Sequence, residues 1–109
     1  MTPQGPDFLV GLDGITIPTS QTRMRQGFNA AGFPSRPTRA PGIEYTLPDG
    51  SRVRTMEPSG QAPRRASFEN AHGQPIDPCT GKPPQPPSGL SRGARRQFVR
   101  DRTHMEQTL

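Results

Sequence analysis

His104, approached by Arg100 and Arg102, and the pair Arg52 and Arg54 are the groupings in this 109-residue chain best suited to phosphodiester chemistry. An imidazole titrates near neutrality and can take or give a proton. A guanidinium grips two phosphate oxygens at once. Metal-free cleavage of RNA needs that combination: a base for the 2′-hydroxyl, an acid for the departing 5′-oxygen and fixed positive charge for the crowded phosphorane. The neighbouring cations should lower the pKa of His104 and keep it available as a base. The plainer reading is a surface histidine near a fraying terminus.

Other residues offer weaker signals. His72 precedes Gly73 in an expected tight turn, where a histidine is more often merely exposed. Arg52 and Arg54 point to one face of a strand, either as a phosphate clamp or as a solvated face. Of Arg64 and Arg65, one can enter a cleft beside Ser67 and Phe68 while the other is solvated. Thr80-Gly81-Lys82 can offer a hydroxyl, a backbone N–H and an ammonium to phosphate, but it lacks the upstream glycine of a nucleotide-binding loop. Glu57 is a candidate base, Glu69 reads as an ion-pair partner for an arginine, and Asn70 as a turn former. Tyr45 and Phe68 can stack on bases, although with so few aromatics core packing is the expected job for both.

The elements that must position these groups come from a lean sequence. Hydrophobic residues make up 28% of the chain and Pro plus Gly 27 of 109 positions, so a core can serve about half of it. Thirteen of the fourteen cations are Arg, and Lys82 is the lone Lys, a bias that favours a phosphate-rich partner. Codon usage in a GC-rich genome would enrich Arg, Pro, Gly and Ala as well, so charge alone does not identify that partner. The single Cys79 cannot form an internal disulfide, no Cys/His spacing indicates zinc, and no metal or cofactor is expected. The longest apolar run is Phe8-Leu9-Val10, so neither a membrane span nor a secretory signal is expected.

An α+β fold is expected: a small antiparallel sheet with one or two short helices behind a Pro/Gly-rich N-terminal arm. Residues 1–41 read as a poorly structured junction or linker arm, with a short hairpin about Asp13-Gly14 and a polar, basic stretch from 21 to 41. Residues 42–109 read as the folded domain. Ile43, Tyr45 and Leu47 alternate with polar residues, Pro48-Asp49-Gly50 turns the chain, and Val53 and Thr55 alternate with Arg52 and Arg54. Residues 66–70 form another strand, and 78–87, with five prolines, an extended segment. Ser91 caps a helix running to about Arg102, with Leu90 as a staple and Ala94, Phe98 and Val99 facing inward. Net charge is +2 over 1–41, zero over 42–90 and +3 over 91–109.

The opening Gly5-Pro6-Asp7-Phe8, with Gly14-Ile15-Thr16-Ile17-Pro18, resembles the junction region of Rhs and related bacterial polymorphic toxins, which joins a large delivery shell to a toxic tip. Val53-Arg54-Thr55-Met56-Glu57-Pro58, Ser67-Phe68-Glu69-Asn70, Gly73-Gln74-Pro75-Ile76-Asp77-Pro78 with Thr80-Gly81-Lys82, and Thr103-His104 resemble a recurrent tip pattern. That pattern is similar to small cytotoxic ribonucleases of the barnase–EndoU–colicin–RelE type, and the likeness covers residues 42–106. Cys79 stands where an aromatic is expected. The arginine-rich helix is inserted before Thr103-His104, and Glu106-Gln107-Thr108-Leu109 replaces a short apolar tail.

The resemblance implies a metal-independent ribonuclease cutting tRNA or rRNA through 2′-hydroxyl attack. His104, Arg54, Arg65 and Lys82 would be catalytic, His72, Thr80 and Glu57 further candidates, and Arg52, Arg64, Arg92, Arg95, Arg96, Arg100 and Arg102 the phosphate-binding set. It also implies secretion by a bacterial delivery system with an Rhs shell, action in the target-cell cytoplasm during interbacterial competition, and neutralisation by an acidic cognate immunity protein. Two other readings fit the residues: a toxin that binds nucleic acid or ribosomes without catalysis, and an ADP-ribosyltransferase-type toxin.

Overall fold

Alternation decides the central hairpin. Ile43 and Tyr45 fall on one side of an extended segment and Glu44 on the other, and Val53 and Thr55 alternate with Arg52 and Arg54 in the same way. The computed structural model describes residues 20–39 and 41–109. In it these segments are β2 (Gly42–Thr46) and β3 (Arg52–Met56), antiparallel, with Tyr45 opposite Val53 and Glu44 opposite Arg54. The expected turn forms between them: the Leu47 N–H donates to the Ser51 carbonyl (2.9 Å), the Asp49 carboxylate accepts from the Ser51 N–H (2.9 Å), and Gly50 takes φ 85°. Gly42 must lack a side chain, because a Cβ there would run into the Thr55 carbonyl.

Three strands extend this hairpin into a five-stranded antiparallel sheet of order β1-β2-β3-β4-β5: β1 (Ser35–Pro37), β4 (Arg65–Glu69) and β5 (His104–Glu106). After β4 the Asn70 side chain accepts from the N–H groups of His72 (3.0 Å) and Gln74 (2.9 Å), closing the expected turn. Ile76 then returns to donate to the Phe68 carbonyl (3.0 Å). A second tight turn, with Gly81 at φ 74°, joins Asp77 to Lys82.

Helix α1 (Gln21–Ala30) covers one face of the sheet. The Ser20 side chain accepts from the Arg23 N–H (3.2 Å) at its N-cap, and Gln21, Met24 and Phe28 form a buried stripe at helical spacing. Met24 and Phe28 pack with Tyr45, Leu47, Val53, Ala66, Phe68 and Ile76. The Phe28 ring lies 4.9 Å from Tyr45 and 5.7 Å from Phe33, both tilted. Tyr45 and Phe68 are thus core residues, 1% and 2% exposed.

The C-terminal tail completes α1. The N–H groups of Gln21 and Thr22, which have no partner inside the helix, donate to the carbonyls of Thr108 (2.9 Å) and Leu109 (3.1 Å). Helix α2 (Arg92–Thr103) is capped by Ser91 as expected, and its last turn hands the chain to β5. It packs mainly through that end: Thr103 is buried and Phe98 and Val99 half-buried, whereas Ala94 and Leu90 are exposed. Among the described residues no helix is long and apolar enough to cross a membrane.

The α+β class and the small antiparallel sheet are as the sequence indicates. Two differences matter. The surface arm expected over 21–41 is instead α1 and β1, because the lean core needs Met24 and Phe28 to close one sheet face. The terminal histidine is not on a loose end but on β5. The small hairpin expected around Asp13-Gly14 lies outside the described residues.

Phe28→Ala should therefore lower unfolding stability by about 3–5 kcal/mol in a denaturant titration. A change within about 0.5 kcal/mol would mean that residues 21–30 behave as a surface arm after all.

Candidate functional site

With one sheet face under α1, alternation sends the remaining side chains to the other. Register places Arg36, Glu44, Arg54, Ser67 and His104 in one row across all five strands. Arg52 and Glu69 sit opposite each other two residues to one side of this row, and Arg65 opposite Glu106 on the other. At a strand spacing of about 4.8 Å, the Arg54 backbone lies about 10 Å across the sheet from that of His104 and the Glu44 backbone about 14 Å. Arg54 nonetheless lines one depression together with His104, whereas Glu44 does not.

Three depressions follow the row. The first, about 620 Å³, is lined by Arg65, Arg100, Asp101, His104 and Glu106 with Ala62 and Pro63. A smaller one, about 120 Å³, gathers Arg52, Arg54, Ser67, Glu69, Thr103 and His104 beside Phe68 and Pro75. The third, about 470 Å³, holds Glu44, Arg54 and Met56 with residues of β1 and the segment after it. His104 is shared by the first two and Arg54 by the last two, so the depressions form one track across the strands.

Charge is arranged by pairing. The Glu44 side chain, 3% exposed, accepts from Arg54 Nε (2.7 Å) on one oxygen and Arg36 Nε (2.8 Å) on the other. Burial alone would raise its pKa; the two guanidiniums outweigh that and hold the carboxyl below its usual value. Its unfolded-state value is the higher one, so the stability it contributes is present above that value and lost as pH falls through the folded one. Arg54 is shifted the opposite way, upward, by its bond to Glu44. Glu69 pairs with Arg52, as an ion-pair partner should.

His104 pairs in register with Ser67, and Thr103 Oγ1 lies 3.2 Å from its Nδ1. Although the residue is exposed, its pKa is lowered, first by partial desolvation of the ring and then by the positive charges of Arg65 and Arg100; a backbone hydrogen bond at Arg100 works the other way. The neutral imidazole is therefore favoured near neutral pH, and the unfolded chain takes up this proton before the folded one. Acidification through that interval costs stability, the same sign as for Glu44.

Of the residues that the sequence indicates, His104, Arg54, Arg65, Arg52 and Arg100 meet along the track. The others do not. Lys82 and Thr80 line none of the three depressions; they close the turn to Asp77, where the Lys82 N–H donates to Thr80 Oγ1 (3.2 Å). His72 is exposed in its turn, although the neighbouring Gly73 lies against the Arg52 guanidinium. Glu57 and Arg64 are bonded to each other (2.6 Å) and tied to α1, Arg64 through Gln21 (3.0 Å) and Glu57 through Arg25 (3.4 Å). Arg92, Arg95 and Arg96 stand exposed on α2, and Arg102 stacks on Phe98 at 3.6 Å from the ring centroid.

Sequence reasoning missed Glu44. The signal was present, since it alternates with Ile43 and Tyr45 and falls opposite Arg54 once the Pro48-Asp49-Gly50 turn fixes the register. Among the described residues no three His, Cys, Asp or Glu side chains are grouped as metal ligands would be. Compared with known protein families, curated proteins and solved structures, the chain matches none.

Replacing Arg65 by Gln removes one of the charges that depress the imidazole. The His104 pKa, followed by NMR of its ring resonances, should rise toward the ordinary histidine value in Arg65→Gln. An unchanged value would separate Arg65 from the site.

Proposed function

We propose that this chain is a metal-independent endoribonuclease domain of the polymorphic-toxin type, acting on RNA through its own 2′-hydroxyl. The observation that carries this reading is the neighbourhood of His104. A depressed-pKa imidazole stands in register with Ser67 and shares one small depression with Arg52, Arg54 and Glu69, and a second with Arg65 and Arg100.

In this reading the neutral imidazole takes the 2′-hydroxyl proton as that oxygen bonds to phosphorus. Arg54 and Arg65 bear on the charge of the phosphorane. The bond to the 5′-oxygen then breaks, and that oxygen takes a proton delivered by water in the open depression. Glu69, in the same depression, is the other group able to act as base, with His104 as acid. The pH profile separates the two: a histidine base gives activity that falls as pH drops through its lowered pKa, a histidine acid gives activity that falls as pH rises through it. The substrate class we infer is tRNA or rRNA.

The same reading places the domain at the tip of an Rhs-type delivery protein, released into the cytoplasm of a competing cell. In the producing cell an acidic immunity protein would cover the arginine-lined face, where opposite potentials speed association.

Purified protein incubated with total tRNA in EDTA should cleave it, and His104→Ala should lose about 100-fold or more of that activity. Full cleavage by His104→Ala, or none by the wild-type protein, would overturn the reading. Toxicity on expression that survives loss of His104 would favour binding without catalysis, through the exposed arginines of α2.

A further inference from the structure

We propose that the depression beside β1, lined by Arg36, Thr38, Arg39, Glu44, Arg54 and Met56, is a second phosphate-binding subsite that holds a single-stranded polynucleotide some nucleotides away from His104. The identity of the ligand rests on the ribonuclease reading. The site itself rests on how β1 meets the row.

Three guanidiniums face one carboxylate there, so pairing leaves two positive charges in excess. Glu44 is sealed at 3% exposure, but its partners are not: the Arg36 side chain is 69% exposed and that of Arg54 48%. Each guanidinium has five N–H donors, and Glu44 engages them from below, so outer donors remain directed to solvent. The buried carboxylate therefore orients two cations without cancelling them. Arg39, exposed at the rim, adds a third. Planar, pre-oriented guanidiniums of this kind suit phosphate oxygens better than loose lysines would.

Continuity supplies the direction. Arg54 lines both this depression and the small one containing His104, so a chain seated at His104 passes Arg54 before reaching Arg36 and Arg39. Arg36 on β1 lies four strand spacings, about 19 Å, from His104 on β5, beyond the reach of a dinucleotide's single internal phosphate. Length beyond that should add affinity only if the β1 subsite is used. The contacts are to phosphates, so base sequence should matter little there.

Oligodeoxynucleotides lack the 2′-hydroxyl and serve as uncleaved probes. Fluorescence anisotropy with labelled dT2, dT4 and dT8 at low salt should show dT8 binding at least about tenfold more tightly than dT2, a gain built from added phosphate contacts. Arg39→Ala should remove about three- to tenfold of the dT8 affinity, shift dT2 less than twofold, and reduce the salt slope by about 0.7, the value of one lost single-strand contact. Glu44 is held by Arg36 and Arg54 while Arg39 stands exposed at the rim, so the variant should fold; an unchanged melting curve verifies it.

Arg23→Ala, on the helix that covers the opposite face, is the comparison for loss of one charge anywhere. Equal weakening by Arg23→Ala and Arg39→Ala, or affinity independent of length, would overturn the subsite. Failure to bind oligonucleotides of any length would overturn it too, leaving an acidic protein as the occupant of this face. Length-dependent, Arg39-dependent binding without RNA cleavage would sink the ribonuclease reading and leave the subsite standing; cleavage without length dependence would do the reverse.

Discussion

On the open face of this sheet, charge is held in place by pairs that cross from strand to strand: Glu44 between Arg36 and Arg54, Glu69 against Arg52. The arrangement follows from the chain's composition. With so few apolar residues, only one sheet face can be covered, by α1, and the other must be built from polar side chains that satisfy one another. Burying a carboxylate costs solvation, and Glu44 recovers it from two guanidiniums at once. Its partners stay largely exposed, so solvent screens much of the attraction. What the pairing supplies is direction more than stability. Arg54 is held at Nε by Glu44 while also lining the small depression that contains His104.

His104 needs its own anchor, and the residues after it provide one. The Gln107 N–H donates to the Arg64 carbonyl (2.8 Å), and the buried Gln107 side chain accepts from Gln21 (3.2 Å). Thr108 and Leu109 then dock on the N-terminus of α1. The strand that carries the histidine is thus fixed between β4 on one side and a tail clamped to the helix on the other. A local network couples the same region to α1: Arg25 bonds Thr55 (2.8 Å), and Arg64 joins Glu57 to Gln21. Glu57 and Arg64 serve the scaffold rather than the open face, and the position of His104 depends on it.

Period-2 alternation with a turn signal made β2, β3 and β4 legible, and Ser91 with the residues behind it made α2 legible. These are local signals. Helix α1 was masked by its surroundings: Gly27 lies inside it and Pro34, Pro37 and Pro41 follow, so the segment reads as a linker although Ser20, Met24 and Phe28 carry a cap and an apolar stripe. Strand β5 is three residues long and has no local signature; pairing with β4 alone makes it extended. The site divides in the same way. Arg52 and Arg54 on one face were readable from alternation, whereas the absence of Lys82 and His72 from the track reflects where two turns happen to point. Glu44 was overlooked because its role appears only when β1, β2 and β3 are set side by side.

The proposed reaction requires a single phosphate at His104 to be reached both by Arg54, from one depression lined by the imidazole, and by Arg65, from the other. A nucleoside 3′-monophosphate titrated into isotopically labelled protein tests it directly. The account predicts that the His104 ring and the Arg54 and Arg65 Nε–H resonances shift along one binding curve, and that the His104 pKa rises as the dianion offsets the neighbouring cations. Shifts confined to the exposed arginines of α2, with His104 unmoved, would contradict it.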